Sequence, residues 1–235
     1  MSAPPSDDRL PVVIIACQVM ESLLGHLLPP GLARDVQYMD YGLHRFPTKM
    51  TWTLQDAVDA VEEPSLIVLG YGLCGNGLNG IQAGKHTLLI PRVDDCIAIL
   101  LGSRRRYLEE FESEPGTYYL SKGWLESGSH PLKEYEEYVE KYGPEDAAWI
   151  MDQQYAHYER LVLVTHDEAD LETYRPQAHE VAAYCDGIPY CHLPIDPASP
   201  TAELHWFASG LSARVNRFEA WSLKPEMNPV PTANP

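Results

Sequence analysis

The sequence is poor in basic residues and contains no long hydrophobic run. Lys and Arg together number 17 against 34 Asp and Glu, so the formal net charge at pH 7 is -17. An acidic surface of this kind repels phosphate backbones, which disfavours general nucleic-acid binding. No apolar stretch approaches the length that a membrane-spanning helix needs. We therefore expect a protein that binds a small-molecule substrate and neither nucleic acid nor a membrane.

The start of the chain also lacks the pattern of a secretory leader. The first residues, MSAPPSDD, carry no basic segment, and the apolar run at 12–16 is too short for a signal-peptide core. We therefore expect a cytoplasmic protein. In that compartment the five cysteines are free thiols or metal ligands rather than disulfide partners, and their odd number agrees with this interpretation.

Short apolar runs that alternate with amphipathic stretches predict an α/β fold. Continuous apolar strands separated by helices indicate a mostly parallel sheet with helices on both faces, a three-layer, Rossmann-like arrangement. We predict strands at residues 12–16, 35–39, 66–69, 87–90 and 161–164, a weaker strand at 188–193, and helices at about 19–28 and 51–62.

Residues 103–157 differ from the rest of the chain because they are rich in Tyr and Glu. The stretch KEYEEYVE at 133–140 has the spacing of an amphipathic helix, and its acidic run predicts a solvated face. We predict a single α/β domain at residues 10–222, in which residues 103–157 form a helical insertion. The insertion either covers the C-terminal edge of the sheet as a lid or packs on one face. We expect residues 1–9 to form a disordered start and residues 223–235 to form a Pro-rich tail.

Three cysteines follow three of the predicted strands. Cys17 comes directly after the first strand, Cys74 follows the third, and Cys96 lies shortly after the fourth. The C-terminal ends of parallel strands lie along one edge of a sheet, so the three thiols can meet there. Thiolates bind zinc, copper(I) or iron–sulfur clusters, and three protein ligands leave one coordination position open. Alternatively, each thiol is a small buried hydrophobe, as we expect for Cys185 and Cys191.

Four further side chains are candidates for catalysis at the same edge. Arg92 and Arg104 can bind a carboxylate or a phosphate. Asp95 can act as an acid or base, bind a ligand, or cap the N-terminus of a helix. His166, which follows the strand at 161–164, can act as a fourth ligand or as an acid or base, although a lone histidine more often has a structural role.

The stretch GYGLCGNG at 70–77 contains the spacing G-x-G-x-x-G of a dinucleotide-binding turn. That fingerprint needs a helix directly after the glycines. Only residues 78–86 separate this turn from the next predicted strand, which is too short for an ordinary crossover helix. The glycines fit tight turns that expose Cys74 better. A nucleotide or sugar-phosphate enzyme without metal stays open as an alternative, because Asp94 or Asp95 can supply the acid of the fingerprint.

The segments ACQVME, LHRFP, GYGLCGNG, IPRVDDCIAILLGSR and GTYYLSKGW together resemble the DUF1638 family of uncharacterised bacterial and archaeal proteins. The resemblance covers about residues 12–194, and Cys17, Cys74 and Cys96 stand at its motif positions. It implies no established activity. Some members occur near corrinoid-dependent methyltransferase systems, which implies a partner in such a system. The corrinoid-binding pattern D-x-H-x-x-G is absent from this sequence.

These observations predict a metal-dependent enzyme, a lyase or a transferase, with a three-cysteine centre. The centre would be a 4Fe-4S cluster or Zn2+, and the substrate a small anionic or thio- or methyl-bearing molecule held by Arg92 or Arg104. One alternative is a non-catalytic accessory protein of a corrinoid or methyl-transfer system, and another is the metal-free nucleotide or sugar-phosphate enzyme. A homo-oligomer is compatible with each of them.

Overall fold

The computed structural model describes residues 10–185 and the backbone of residues 190–194, and in this part of the chain strands and helices alternate. The strands are β1 Val12–Cys17, β2 Asp35–Met39, β3 Leu66–Gly70, β4 Thr87–Leu89, β5 Thr117–Ser121, β6 Arg160–Thr165 and β7 Tyr190–Pro194. The helices are α1 Glu21–Leu27, α2 Pro47–Asp59, α3 Cys96–Leu100, α4 Arg104–Ser113, α5 Lys122–Ser127, α6 Pro131–Tyr142, α7 Pro144–Tyr155 and α8 Glu168–Tyr184.

The α/β class and the parallel pairing predicted from the sequence are confirmed, with the strands divided between two sheets. The first has the order β2-β1-β3-β4 and the second β5-β6-β7, and every pair is parallel. The strand β6 does not extend the first sheet because β5 and β7 already pair with its two sides. The residues 1–9 and 223–235, predicted as a disordered start and a tail, lie outside the described residues, as does the side chain of Cys191.

The first sheet has a core of apolar side chains on both of its faces. All residues of β3 and all but the first of β1 are buried, as expected for central strands of a covered parallel sheet. Helix α2 adds Met50, Leu54 and Val58 to the same core, and their spacing of four residues places them on one face of the helix. None of the described helices is long and apolar enough to span a bilayer.

The segment 103–157, predicted as a helical insertion, contains the strand β5 as well as helices. The sequence TYYLS of β5 consists mostly of β-branched and aromatic residues, which favour strands. Sequence reasoning missed this strand because the surrounding segment is rich in Glu and Tyr and resembles a helical region. The predicted charged helix at 133–140 is confirmed as part of α6.

The loops at the C-terminal edges of the two sheets are in contact. Helix α5, after β5, lies against the short 3-10 turn Gln18–Met20 after β1, because a Cβ on Gly123 would be 3.0 Å from the Cα of Val19. His166, after β6, is hydrogen bonded to the carbonyl of Leu100 at the end of α3. The segments that leave β1 and β4 therefore face those that leave β5 and β6.

Candidate three-cysteine site

Cys17, Cys74 and Cys96 lie together at the C-terminal edge of the first sheet. Cys17 ends β1, Cys74 lies in the turn after β3, and Cys96 is the first residue of α3, after β4. All three are buried. The Sγ atoms of Cys74 and Cys96 are 3.7 Å apart, and an interaction with Cys96 also lowers the pKa of Cys17. The thiols meet as their positions after parallel strands predict.

The three thiols of this cluster differ in the direction of their pKa shifts. Hydrogen bonds to Cys17 and Cys74, together with burial, raise the pKa of Cys96 well above its ordinary value. The pKa values of Cys17 and Cys74 are lowered, mainly by the hydrogen bond that each forms with Cys96, while burial opposes that effect. Cys17 and Cys74 therefore lose a proton more readily than Cys96, and the thiolate is the form that binds metals and reacts.

The turn that carries Cys74 has a left-handed backbone. The φ angles are +44° at Cys74, +66° at Gly75 and +69° at Asn76. This conformation is unfavourable for a residue with a Cβ atom. Cys74 is held there in part by its own N–H, which donates to the carbonyl of Asp94 at 3.0 Å. Backbone strain of this kind clusters at functional sites, where the surrounding structure enforces it.

Gly72 brings the Cys74 turn close to the start of α3. A Cβ atom on Gly72 would lie 2.5 Å from the Cα and carbonyl carbon of Asp95, which immediately precedes Cys96. A larger residue would push the two segments apart. The missing side chain at position 72 therefore sets the distance between Cys74 and Cys96.

Gly70 and Gly77 of GYGLCGNG also allow neighbouring segments to pack closely. A Cβ on Gly70 would lie 2.5 Å from the Cβ of Ala16, and one on Gly77 would lie 2.5 Å from Sδ of Met50. Residues 71–86, between β3 and β4, form turns and contain no helix. The helix N-terminus that a dinucleotide fingerprint places against a pyrophosphate is therefore missing here.

Tyr71, the first residue after β3, is buried beside the three thiols. Its side chain is 1% exposed, and its hydroxyl has no hydrogen-bond partner in the described part of the chain. Burial raises the pKa of Tyr71 strongly, and the cysteines Cys17, Cys96 and Cys74 raise it further. A buried hydroxyl without a partner costs about 1–3 kcal/mol. Sequence reasoning did not single out this hydroxyl.

Asp95 caps the helix that begins with Cys96. Its Oδ1 accepts hydrogen bonds from the N–H groups of Ile97 at 2.9 Å and Ala98 at 3.3 Å. The hydroxyl of Tyr107 donates to its Oδ2 at 3.2 Å. Burial raises the pKa of Asp95, although these hydrogen bonds oppose the shift. The structure thus shows the capping role that the sequence left open, and a role as acid or base stays a prediction.

His166 holds the other end of α3. Its Nε2 lies 3.1 Å from the carbonyl oxygen of Leu100, the last residue of that helix. Burial lowers the pKa of His166, and this carbonyl, Asp170 and Asp167 oppose the shift. The ring is therefore bonded to the backbone of α3, and its predicted role as a metal ligand or acid–base group is not visible in these contacts.

The two arginines predicted to bind an anion lie at the surface. Arg92 is exposed just beyond β4, and Arg104 is exposed in the first turn of α4. Arg104 forms a solvent-exposed ion pair with Asp94, with 3.4 Å between Nη2 and Oδ2. The structure therefore places neither arginine in the buried thiol cluster, and anion binding by them stays a prediction.

Sequence reasoning missed a second buried polar cluster around Glu134. The side chain of Glu134 forms an ion pair with Arg45 through Oε1 and accepts a hydrogen bond from Tyr155 at 2.7 Å through Oε2. Glu134 is buried, so the prediction of a solvated acidic run is wrong at this position. The signal that could have found it is helical spacing, because Glu134 shares the inner face of α6 with Pro131.

Comparison with known proteins assigns the family. Residues 38–197, more than half of the chain, match the model of a family described as "Protein of unknown function (DUF1638)". The chain belongs to the DUF1638 family. Neither the curated proteins nor the solved structures contain a match. The DUF1638 match includes Tyr71, Cys74 and Cys96 and begins after β1, so it leaves out Cys17.

The described side chains of this DUF1638 protein are not arranged around a metal ion. In the described part of the chain, no group of three or more His, Cys, Asp or Glu side chains could hold a metal ion as it stands. The separation of 3.7 Å between Cys74 and Cys96 is nevertheless close to the spacing of two thiolates on one tetrahedral zinc, about 3.8 Å for Zn–S bonds of about 2.3 Å. A three-thiolate site therefore requires these side chains to rearrange on binding.

Proposed function

We propose that this protein is a metal-dependent enzyme whose centre is held by the thiolates of Cys17, Cys74 and Cys96. The observation that carries the proposal is the meeting of three buried sulfur atoms from three separate strand ends. Ordinary core packing would account for a buried cysteine, but it would not require the left-handed backbone of Cys74. A reducing, cytoplasmic location, which keeps thiols free, is part of this proposal.

Zinc suits the cluster better than a 4Fe-4S cluster does. The spacing of the Cys74 and Cys96 sulfur atoms matches two ligands of one small tetrahedral ion. In a 4Fe-4S cluster the thiolates bind different iron atoms, which holds their sulfur atoms further apart. Three thiolates on zinc leave the fourth position open for water or substrate.

The open position determines the chemistry that we propose. A metal ion with three thiolates lowers the pKa of a water or thiol bound at the fourth position and so supplies a nucleophile at neutral pH. Three thiolates would leave a zinc centre with a net negative charge, which favours binding of a neutral ligand over an anion. A small thiol or methyl-bearing substrate of a transferase fits this requirement. A carboxylate on that substrate can reach Arg92 or Arg104 only at the protein surface.

Elemental analysis of anaerobically purified protein tests the proposal. The comparison includes wild type, Cys74→Ser and a matched control, Cys185→Ser, which changes a half-buried thiol just after α8, away from the other three cysteines in the chain. We expect about one zinc per chain in wild type and Cys185→Ser, and loss of the metal in Cys74→Ser. Folded wild-type protein that takes up neither zinc nor iron and sulfide under reducing conditions would falsify the proposal.

A non-catalytic accessory protein of a corrinoid or methyl-transfer system is the second candidate function. Apolar side chains exposed beside the cysteine turn favour it: Phe46 is 62% exposed and Leu73 is 45% exposed. Pro47, which follows Phe46, lies 3.4 Å from the Cβ position of Gly75. A docked partner would cover such residues.

The two candidate functions predict opposite effects of two variants. For an accessory protein, a purified methyl-transfer partner would lose binding to Phe46→Ser and keep binding to Cys74→Ser. For a metal-dependent enzyme, Cys74→Ser abolishes metal binding and activity, and Phe46→Ser retains both. Size-exclusion chromatography of the mixed proteins measures the first outcome.

A further inference from the structure

We propose that Cys74 and Cys96 form a redox-active pair that hydrogen peroxide oxidises to a disulfide. This inference goes beyond the proposed function, because the reaction takes place between the two cysteines and requires no metal ion. Both thiols are buried, so a small oxidant such as peroxide reaches them more readily than a bulky one.

The separation of the two sulfur atoms is the observation that carries the inference. The Sγ atoms of Cys74 and Cys96 are 3.7 Å apart, although the two residues are 22 positions apart in the chain. In a disulfide the two sulfur atoms are about 2.05 Å apart. The sulfur atoms therefore have to approach by less than about 2 Å, which rotation of the two side chains can supply.

Backbone hydrogen bonds hold the two segments together independently of the thiols. The N–H of Leu73 donates to the carbonyl of Val93 at 3.1 Å, and the N–H of Cys74 donates to the carbonyl of Asp94 at 3.0 Å. Cys96 follows Asp94 by two residues. The close approach of the two thiols is therefore a property of the folded backbone, which holds the reacting atoms near each other before any oxidant arrives.

The turn that carries Cys74 lies at the surface and gives the oxidant access. Cys74 itself is 6% exposed, but it lies between Leu73, which is 45% exposed, and the exposed Gly75. Local opening of an exposed turn costs less free energy than unfolding of the core. Cys74 is therefore the thiol that meets the oxidant first.

The oxidation proceeds in two steps. In the first, the sulfur of Cys74 bonds to one oxygen of hydrogen peroxide, the O–O bond breaks, and the other oxygen leaves as water with the thiol proton. In the second, the sulfur of Cys96 bonds to the sulfenic sulfur of Cys74, the S–O bond breaks, and a second water leaves with the proton of Cys96. The two thiols together lose two electrons, and the peroxide gains them.

Peptide mapping of peroxide-treated protein tests the inference. Reduced full-length protein is treated with hydrogen peroxide in a chelating buffer, its remaining thiols are alkylated, and its tryptic peptides are analysed by mass spectrometry. Trypsin separates the two cysteines, because Lys85 and Arg92 lie between them. We expect a disulfide between Cys74 and Cys96 that dithiothreitol reduces. The matched control, Cys17→Ser, changes another buried thiol at a strand end and forms the same disulfide.

A second variant traps the intermediate of the reaction. Cys96→Ser should lose the disulfide and leave Cys74 as a sulfenic acid, which dimedone labels. Wild-type protein that stays reduced at Cys74 and Cys96, or that joins Cys96 to Cys17 instead, would overturn the inference. Loss of the disulfide in folded Cys17→Ser would overturn it as well. The chelating buffer removes metal from the assay, so each result is independent of the zinc analysis that tests the proposed function.

Discussion

The cluster around Glu134 and the cluster around the three thiols are both buried and polar, but they differ in how their hydrogen bonds are satisfied. Both carboxylate oxygens of Glu134 have partners within the chain, namely Arg45 and Tyr155. The thiols bond to one another, and the hydroxyl of Tyr71 has no partner in the described residues. Buried polar groups are normally paired, so the second cluster is the one that folding leaves incomplete.

The difference separates a structural cluster from a candidate site. Glu134 joins the helix α6 to the segment before α2 and to α7, and these contacts are complete in the folded chain. The thiols bring together the segments after β1, β3 and β4, and their Cys74 turn is strained. A cluster that is unsatisfied and strained at once is a better candidate for ligand binding than one that is fully paired.

The largest effect is expected at the satisfied cluster. Glu134→Ala leaves Arg45 and Tyr155 without their acceptor, and we expect the free energy of unfolding to fall by about 2–3 kcal/mol. The exposed Glu137→Ala on the same helix should change it by less than about 0.5 kcal/mol. Urea unfolding measures both. Equal stability of the two variants would mean that the Glu134 cluster is not a structural element, and the comparison would fail.

A smaller effect is expected at the strained turn, in metal-free protein. Glycine adopts the left-handed φ of +44° at position 74 without penalty, so Cys74→Gly should be about 1 kcal/mol more stable than Cys74→Ala. The same pair at Cys185, where φ is -80°, should show the usual order, with alanine at least as stable as glycine. Thermal unfolding gives both orders. If Cys74→Ala were more stable than Cys74→Gly, the backbone at position 74 would not be strained.

The smallest effect is the pH dependence from His166. Burial lowers its pKa in the folded protein, so below the ordinary histidine pKa of about 6.5 the unfolded chain binds a proton that the folded chain does not. The contribution of neutral His166 to the free energy of unfolding is therefore fully present above that pH. It is lost as the pH falls toward the pKa of His166 in the folded protein. His166→Gln should lose less stability than wild type between pH 8 and pH 5.

Measurement of each variant against its own value at pH 8, where His166 is neutral in both states, removes the effect of changed packing. The charges that face this ring are those of Asp170, Asp167 and His26. Parallel pH curves for wild type and His166→Gln would show that the His166 contact with α3 does not couple stability to pH.

Much of the site was predictable because it depends on strand order. Parallel strands end at one edge, so cysteines after β1, β3 and β4 had to approach one another. The absence of a helix after GYGLCGNG was also predictable, from the short distance to β4. The burial of Glu134 was not, because an acidic residue is buried only when distant partners such as Arg45 and Tyr155 are brought to it.

The sequence by itself determined the α/β class, six of the strands and the placement of three cysteines at strand ends, because these follow from short-range apolar patterns. Only the tertiary structure decided that the strands form two sheets whose C-terminal loops are in contact. It also decided that Glu134 is paired while the hydroxyl of Tyr71 is left without a partner. Those outcomes depend on contacts between residues far apart in the chain, which no local pattern encodes.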